Sequence, residues 1–320
     1  MDQLTRYQNM EGHFAALNVG GSRIFPNPWT GNTYYVSSTT GLSTGDALTP
    51  DTAISTLQAA IDLAAAATQD DIGATIYLMP NHAETITGVA GLLFDVAGLS
   101  VIGLGHYNQR ARFLMDGGTT VTASITAADV HIRNVVFASG HASVVACFTI
   151  TGKGAWFDEC EWTDNTTSES FVTPLKATGA ANTADGLMVT DCRWVPLISS
   201  VDAQEFIEIT DDIRDLKVLR NLIVHEGTAS PLVLQAGTKV MTRVEIAWNT
   251  VSHKMTAGDL MFDNGASANS GVIHHNFCRS ADTDAQVNGA VGGCGFWDNF
   301  LAGASTVSGA IEPAAETPLT

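Results

Sequence analysis

Glu159, Asp191 and Arg220 occupy one position of a phrase that recurs along the chain, and that set could do chemistry. Two carboxylates held roughly 5–5.5 Å apart on a rigid surface can open a glycosidic bond with retention, one as nucleophile and one as acid. A guanidinium beside them could assist on an acidic sugar, or could simply neutralise them. The second reading carries more weight, because opposite charges on adjacent strands are common cross-strand pairs. By the same spacing Arg193 neighbours Glu161, as Arg220 neighbours Asp191.

Other reactive residue types form weaker patterns. His274 and His275 are adjacent, and neighbours on a strand face opposite sides, so they are not expected to chelate one ion. Asp211, Asp212 and Asp215 cluster without the spacing of a calcium loop. The five cysteines show no paired spacing that suits a metal or a redox couple, and Cys160 and Cys192 read as packing residues. No cofactor and no metal is expected. Trp162 and Trp194 share an apolar column and belong inside. Trp156, Trp248 and Trp297 fall on outward positions, where they could meet sugar or another subunit.

The elements that must position these residues come from the phrase itself, which reads IRNVVF, FDECEW, VTDCRW, LRNLIV, IAWNTV, IHHNFC and FWDNFL. Its central slot holds Val135, Cys160, Cys192, Asn221, Asn249, Asn276 and Asn299, at intervals of 25, 32, 29, 28, 27 and 23 residues. Repeats of this length cannot each bury a core, so they must stack. Apolar residues recur three before the slot (Val101, Ile132, Phe157, Val189, Val218, Ile246, Ile273, Phe296) and two after it (His106, Phe137, Trp162, Trp194, Ile223, Val251, Cys278, Leu301). That alternation is strand-like. A buried Asn in each slot can bond the free backbone groups of a bend and the next Asn, so Asn221, Asn249, Asn276 and Asn299 read as a structural ladder. The longer stretches between phrases, such as 163–185, are expected to be loops or lateral turns.

Flanking segments differ from the repeats. Residues 1–32 carry Tyr7, Phe14, Phe25 and Trp29 without a period and read as an N-terminal arm whose aromatics meet another chain. Residues 33–95 read as a cap: a strand at 33–38, an amphipathic helix at 54–67 with Thr52 or Asp51 placed to cap it, and a strand at 74–80. The stack proper is expected over 96–301, with 302–320 as a C-terminal tail.

Apolar residues make up 45% of the chain and charged ones 15%, and 33 acidic against 15 basic side chains give a formal charge of −18. Such a surface repels nucleic acid and anionic membranes, so neither is an expected partner. No secretory signal and no membrane span is expected from the sequence.

The phrases VLRNLIVHE, EIAWNTVSH and VIHHNFCRS resemble the rungs of right-handed parallel β-helix proteins of the pectate-lyase type. The stretch from Tyr34 to Thr87 resembles the strand-and-helix cap that precedes such helices in phage virion proteins. The resemblance implies an all-β solenoid with extended arms. It leaves polysaccharide-cleaving enzymes, tailspikes and non-enzymatic virion proteins open, because fold alone does not choose. Polygalacturonase-like enzymes carry Asn-Thr-Asp, Asp-Asp, Gly-His-Gly-like and Arg-Ile-Lys motifs in that order. Here Ser139-Gly140-His141 precedes Thr210-Asp211-Asp212, and no Arg-Ile-Lys occurs. The expectation is therefore a non-enzymatic capsid decoration or cement protein on a phage particle. It would be made in the host cytoplasm, assembled as a homotrimer by the resemblance, and held to capsid or other virion proteins by its arms. A glycan-binding tailspike or fibre, or a lyase or hydrolase using Glu159, Asp191 and Arg220, is the alternative.

Overall fold

The computed structural model describes residues 17–19, 22–24, 32–67, 73–196, 205–225, 233–235, 239–253, 260–263, 269–280, 286–288, 293–303 and 309–310. It is an all-β parallel solenoid. Among the described residues the first sheet holds ten parallel strands, from Thr33–Val36 to Cys294–Trp297. The second runs from Ala83–Ile86 to Phe300–Gly303 and ends on an antiparallel strand, Gly309–Ala310. The third holds eight strands, from Leu92–Phe94 to Gln286–Asn288. Each full coil contributes one strand to each sheet.

The recurring phrase supplies two of those strands and the bend between them. On the first sheet Ile132, Phe157, Val189, Val218, Ile246 and Ile273 stand in register, each next to its counterpart one coil on. All are essentially inaccessible to solvent. On the second sheet Phe113, Phe137, Trp162, Trp194, Ile223 and Val251 make the facing column. Its rings stack at 5.8 Å between Phe113 and Phe137 and 6.0 Å between Phe137 and Trp162. The third sheet and its approach close the core edge-on, with Phe148 4.8 Å from Phe137 and Phe206, just before the strand Ile207–Ile209, 5.4 Å from Trp162. Edge-to-face contacts of this kind suit aromatic rings.

Several expectations change here. His106 does not join the second-sheet column. A 3-10 turn at Tyr107–Gln109 intervenes, so Phe113 meets Phe137 and His106 is exposed. The chain closes that insertion tightly: a methyl group on Gly105 would run into the Gln109 carbonyl oxygen. The segment 163–185 is not all loop, because Phe171–Ala177 is a seven-residue strand of the third sheet. Parallel pairing also reaches back before residue 96. Thr33–Val36 pairs with Thr75–Leu78, and that strand pairs with Ser100–Gly103.

Helix α1 (Leu57–Ala66) starts at Thr56, whose hydroxyl accepts from the Ala59 amide, and not at Asp51 or Thr52. Ile54 bridges Val36 and Leu42 in an extended conformation, which delays the helix start. Thr49 caps a separate short turn, Pro50–Thr52. Leu57, Ala60, Ile61 and Ala64 form the buried face of α1, packed against the first strands of the first and third sheets. It thereby covers apolar surface where the stack begins.

Within the expected arm, Leu17–Val19 and Ser22–Ile24 pair antiparallel. Tyr7, Phe14, Phe25 and Trp29 lie outside the described residues, as does most of 302–320.

Candidate functional site

The bend between the first and second sheets places the chemically interesting side chains. The residue before each slot has a positive φ: Asn134 57°, Glu159 53°, Asp191 54°, Arg220 57°, Trp248 61°, His275 53° and Asp298 50°. Only Asn and Asp adopt that conformation with any ease, so the fold must impose it. Two sets of bonds do so. Outside, the amides of Glu159, Asp191 and Arg220 donate to Thr190, Leu219 and Ala247 carbonyls on the next coil, at 3.0–3.1 Å. Inside, the slot side chains run as a chain. Asn249 Oδ1 accepts from the Asn221 backbone and side-chain amides, each at 2.9 Å. Asn276 and Asn299 repeat this for the residues before them. Each Asn also donates Nδ2–H to a carbonyl of the preceding coil: Val189, Val218, Ile246 and Ile273. The ladder ends on the Cys192 amide, held by Asn221 Oδ1 at 2.8 Å.

A left-handed residue interrupts the alternation of a strand. The side chain two before the slot and the one directly before it both stand on the outer side of the bend, although Thr190 and Ala247 are covered there, so the corner carries two adjoining columns. One column reads Arg133, Asp158, Thr190, Leu219, Ala247, His274, Trp297, and the other is the positive-φ set.

At the N-terminal end these columns are ionic. Arg133 spans Glu159, with Nε 3.2 Å and Nη2 3.0 Å from its carboxylate, and lies 3.3 Å from Asp158. Arg220 grips Asp191 with a fork at 2.9 and 2.6 Å. Each guanidinium is held more firmly protonated, chiefly by the hydrogen bond to its own acid. Glu159 thus pairs toward the preceding coil and Asp191 toward the following one. The expected Glu161–Arg193 neighbours do face each other across strands. Glu161 nevertheless forms its ion pair with Arg110, at 2.9 Å, and Arg110 also donates to the Glu159 carbonyl at 2.6 Å.

The sequence reading missed Asp158. Burial raises its pKa, against the opposing pull of Thr190 and Arg133. Thr190 Oγ1 donates to Asp158 at 2.9 Å and accepts from Trp156 Nε1 at 2.7 Å. Trp156 is therefore engaged within the sheet surface. It also stacks on His131 at 4.0 Å, and burial pushes that imidazole down to about 4. The column two before the slot was the available signal for Asp158 and Thr190.

At the C-terminal end the corner is aromatic. Trp248 is 56% exposed and Trp297 40%. Trp248 stacks on His275 at 4.1 Å and His274 on Trp297 at 4.9 Å. Phe277 and Phe300, both exposed, stack at 5.2 Å on the adjoining edge of the second sheet. The two histidines do not diverge as strand neighbours would. The left-handed φ of His275 turns its ring back, leaving the two Nδ1 atoms 2.7 Å apart.

Asp211, Asp212 and Asp215 are not gathered for a cation. Asp211 pairs with Lys239 at 3.0 Å, Asp215 with Arg243 at 2.7 Å, and Asp212 accepts from the Val240 amide at 2.8 Å. All five cysteines are buried and unbridged. No family model, curated protein or solved structure matches the chain. Among the described residues no helix is long and apolar enough to cross a membrane.

The Asp191–Arg220 pair is half in solvent, with side chains 41% and 53% exposed. Asp191→Asn is expected to cost less than about 1 kcal/mol, as for other exposed ion pairs. Urea unfolding measures it, and a loss above about 2 kcal/mol would mean the corner depends on this fork.

Proposed function

We propose that this chain is a non-enzymatic structural protein of a phage particle, a capsid decoration protein attached through its terminal segments and assembled as a trimer. The observation that supports it best is the state of the corner acids. Glu159 and Asp191 are each clasped by a guanidinium from a neighbouring coil, so they tie coils together and neither is free to act as a nucleophile. A surface spent on stiffening the coil suits a part that bears load. The acidic balance of the chain favours a protein partner over nucleic acid.

The test uses particles assembled from the genome that encodes this chain. The full chain is expected on purified particles, and deletion of residues 1–32 is expected to release it while circular dichroism stays strand-rich. Retention of the shortened chain at full occupancy overturns the attachment. Glycan cleavage abolished by Glu159→Gln overturns the non-enzymatic reading.

A specific observation favours glycan binding as the second reading. Trp248, Phe277, Trp297 and Phe300 expose rings around one corner, beside imidazoles that can hydrogen-bond. Saturable binding of a host surface glycan, lost in Trp248→Ala, would move the assignment to a fibre or tailspike.

A further inference from the structure

We propose that His274 and His275 form a chelating pair for a divalent transition-metal ion of square-planar or tetragonal habit, copper(II) above the others. The inference is independent of the particle assignment. Two imidazole nitrogens bound at about 2.0–2.1 Å and at right angles lie about 2.9 Å apart, whereas a tetrahedral angle spreads them to about 3.3 Å. The two Nδ1 atoms here are 2.7 Å apart, close to the right-angle spacing and well short of the tetrahedral one. Tetragonal nitrogen sites suit copper(II) and nickel(II), and copper(II) heads the affinity order.

The surroundings prepare both rings. His275 Nε2 stands 3.5 Å from Asp298 Oδ2, so a small turn of this exposed carboxylate makes the carboxylate–imidazole bond that orients a ligand and leaves its Nδ1 lone pair available. With His275 in that tautomer, His274 donates Nδ1–H across the 2.7 Å contact. On binding, that proton moves through solvent to His274 Nε2, so no net charge is lost. Trp248 and Trp297 clamp the two rings from either side. Among the described residues no third His, Cys, Asp or Glu joins the pair. Water, or a donor from a bound molecule, completes the shell. His275 is 34% exposed, which admits either.

The indoles make the site self-reporting, because copper(II) quenches tryptophan emission at short range. Full-length protein titrated with copper(II) is expected to show saturable one-to-one quenching, at least tenfold tighter than displacement by zinc(II). Nitrogen couplings in the copper electron paramagnetic resonance spectrum should accompany it. His275→Phe and His274→Phe, which keep a stacking ring, should each weaken binding tenfold or more with unchanged circular dichroism. Asp298→Asn should weaken it about tenfold. Quenching that both histidine variants retain overturns the site. Zinc(II) binding as tightly as copper(II) overturns the right-angle geometry.

Discussion

Asn249→Ala is expected to remove about 4 kcal/mol of folding stability, since each buried polar group left unpaired costs about 1–3 kcal/mol. Asn249 is 1% exposed, and its amide serves two neighbours at once. Its Oδ1 holds the Asn221 backbone and side-chain amides, and its Nδ2 holds the Val218 carbonyl and Asn276 Oδ1. Alanine strands the two donors of Asn221 and leaves the Val218 carbonyl without its side-chain partner. Urea unfolding should show a lower midpoint at unchanged slope. Asn221→Cys should cost less, because a cysteine already fills the slot at the next step of the ladder and bonds a carbonyl through Sγ at 3.2 Å. A loss below about 1 kcal/mol for Asn249→Ala would show that the bends hold themselves.

Glu205→Gln should leave stability nearly unchanged in acid and raise it above neutrality. Glu205 is 2% exposed and bonded to the Thr173 hydroxyl at 2.8 Å, and its second oxygen finds no partner among the described residues. Burial carries its pKa from 4.5 up to about 7, with Glu208 adding to the rise and Lys176 opposing it. The folded state therefore holds a proton that the unfolded chain releases above 4.5. Its contribution to stability is full below pH 4.5 and is lost as pH rises through 7. Glutamine keeps the neutral form at every pH. The variant should gain about 3 kcal/mol on wild type in going from pH 4 to pH 8, and the comparison between pH values cancels any fixed packing penalty. A pH-independent difference would mean that the acid is solvated.

His131 acts with the other sign. Its pKa is depressed to about 4, first by burial and then by Arg133, while Glu159 opposes the shift. The unfolded chain binds the extra proton between 4 and 6.5, so this contribution is lost as pH falls through that window. With Glu205 removed, the pH dependence below pH 6.5 should carry the His131 contribution together with those of the other shifted groups, Asp158 among them.

The coil and its Asn ladder were legible because one short phrase repeats around a strict inside–outside pattern, and Ile132, Phe157 and Val189 hold that pattern in register. The third sheet was not legible. Its strands sit at varying distances from the slot, and Phe171–Ala177 carries Pro174, which speaks against a strand. His106 was misplaced for a related reason, since the Tyr107–Gln109 turn shifts the register by several residues without changing the composition. The ion pairs could be anticipated only in part. Asp191–Arg220 follows from adjacency, but Arg110 reaches Glu161 two coils away. The meeting of His274 and His275 escaped because a period-two strand forbids it. Only the backbone angle at His275 permits it, and that angle is dictated by the bend.

That corner has a consequence for what the protein can become. Asn, Glu, Asp, Arg, Trp, His and Asp all adopt the same left-handed turn in successive coils. The conformation recurs whether the slot behind it holds Val, Cys or Asn, so it belongs to the bend and not to the side chain displayed. Six steps of about 4.8 Å make a rail roughly 29 Å long with seven evenly spaced sockets. Chemistry can be exchanged at any socket at little expense to the coil, so recognition can change along this edge while the scaffold beneath it stays the same.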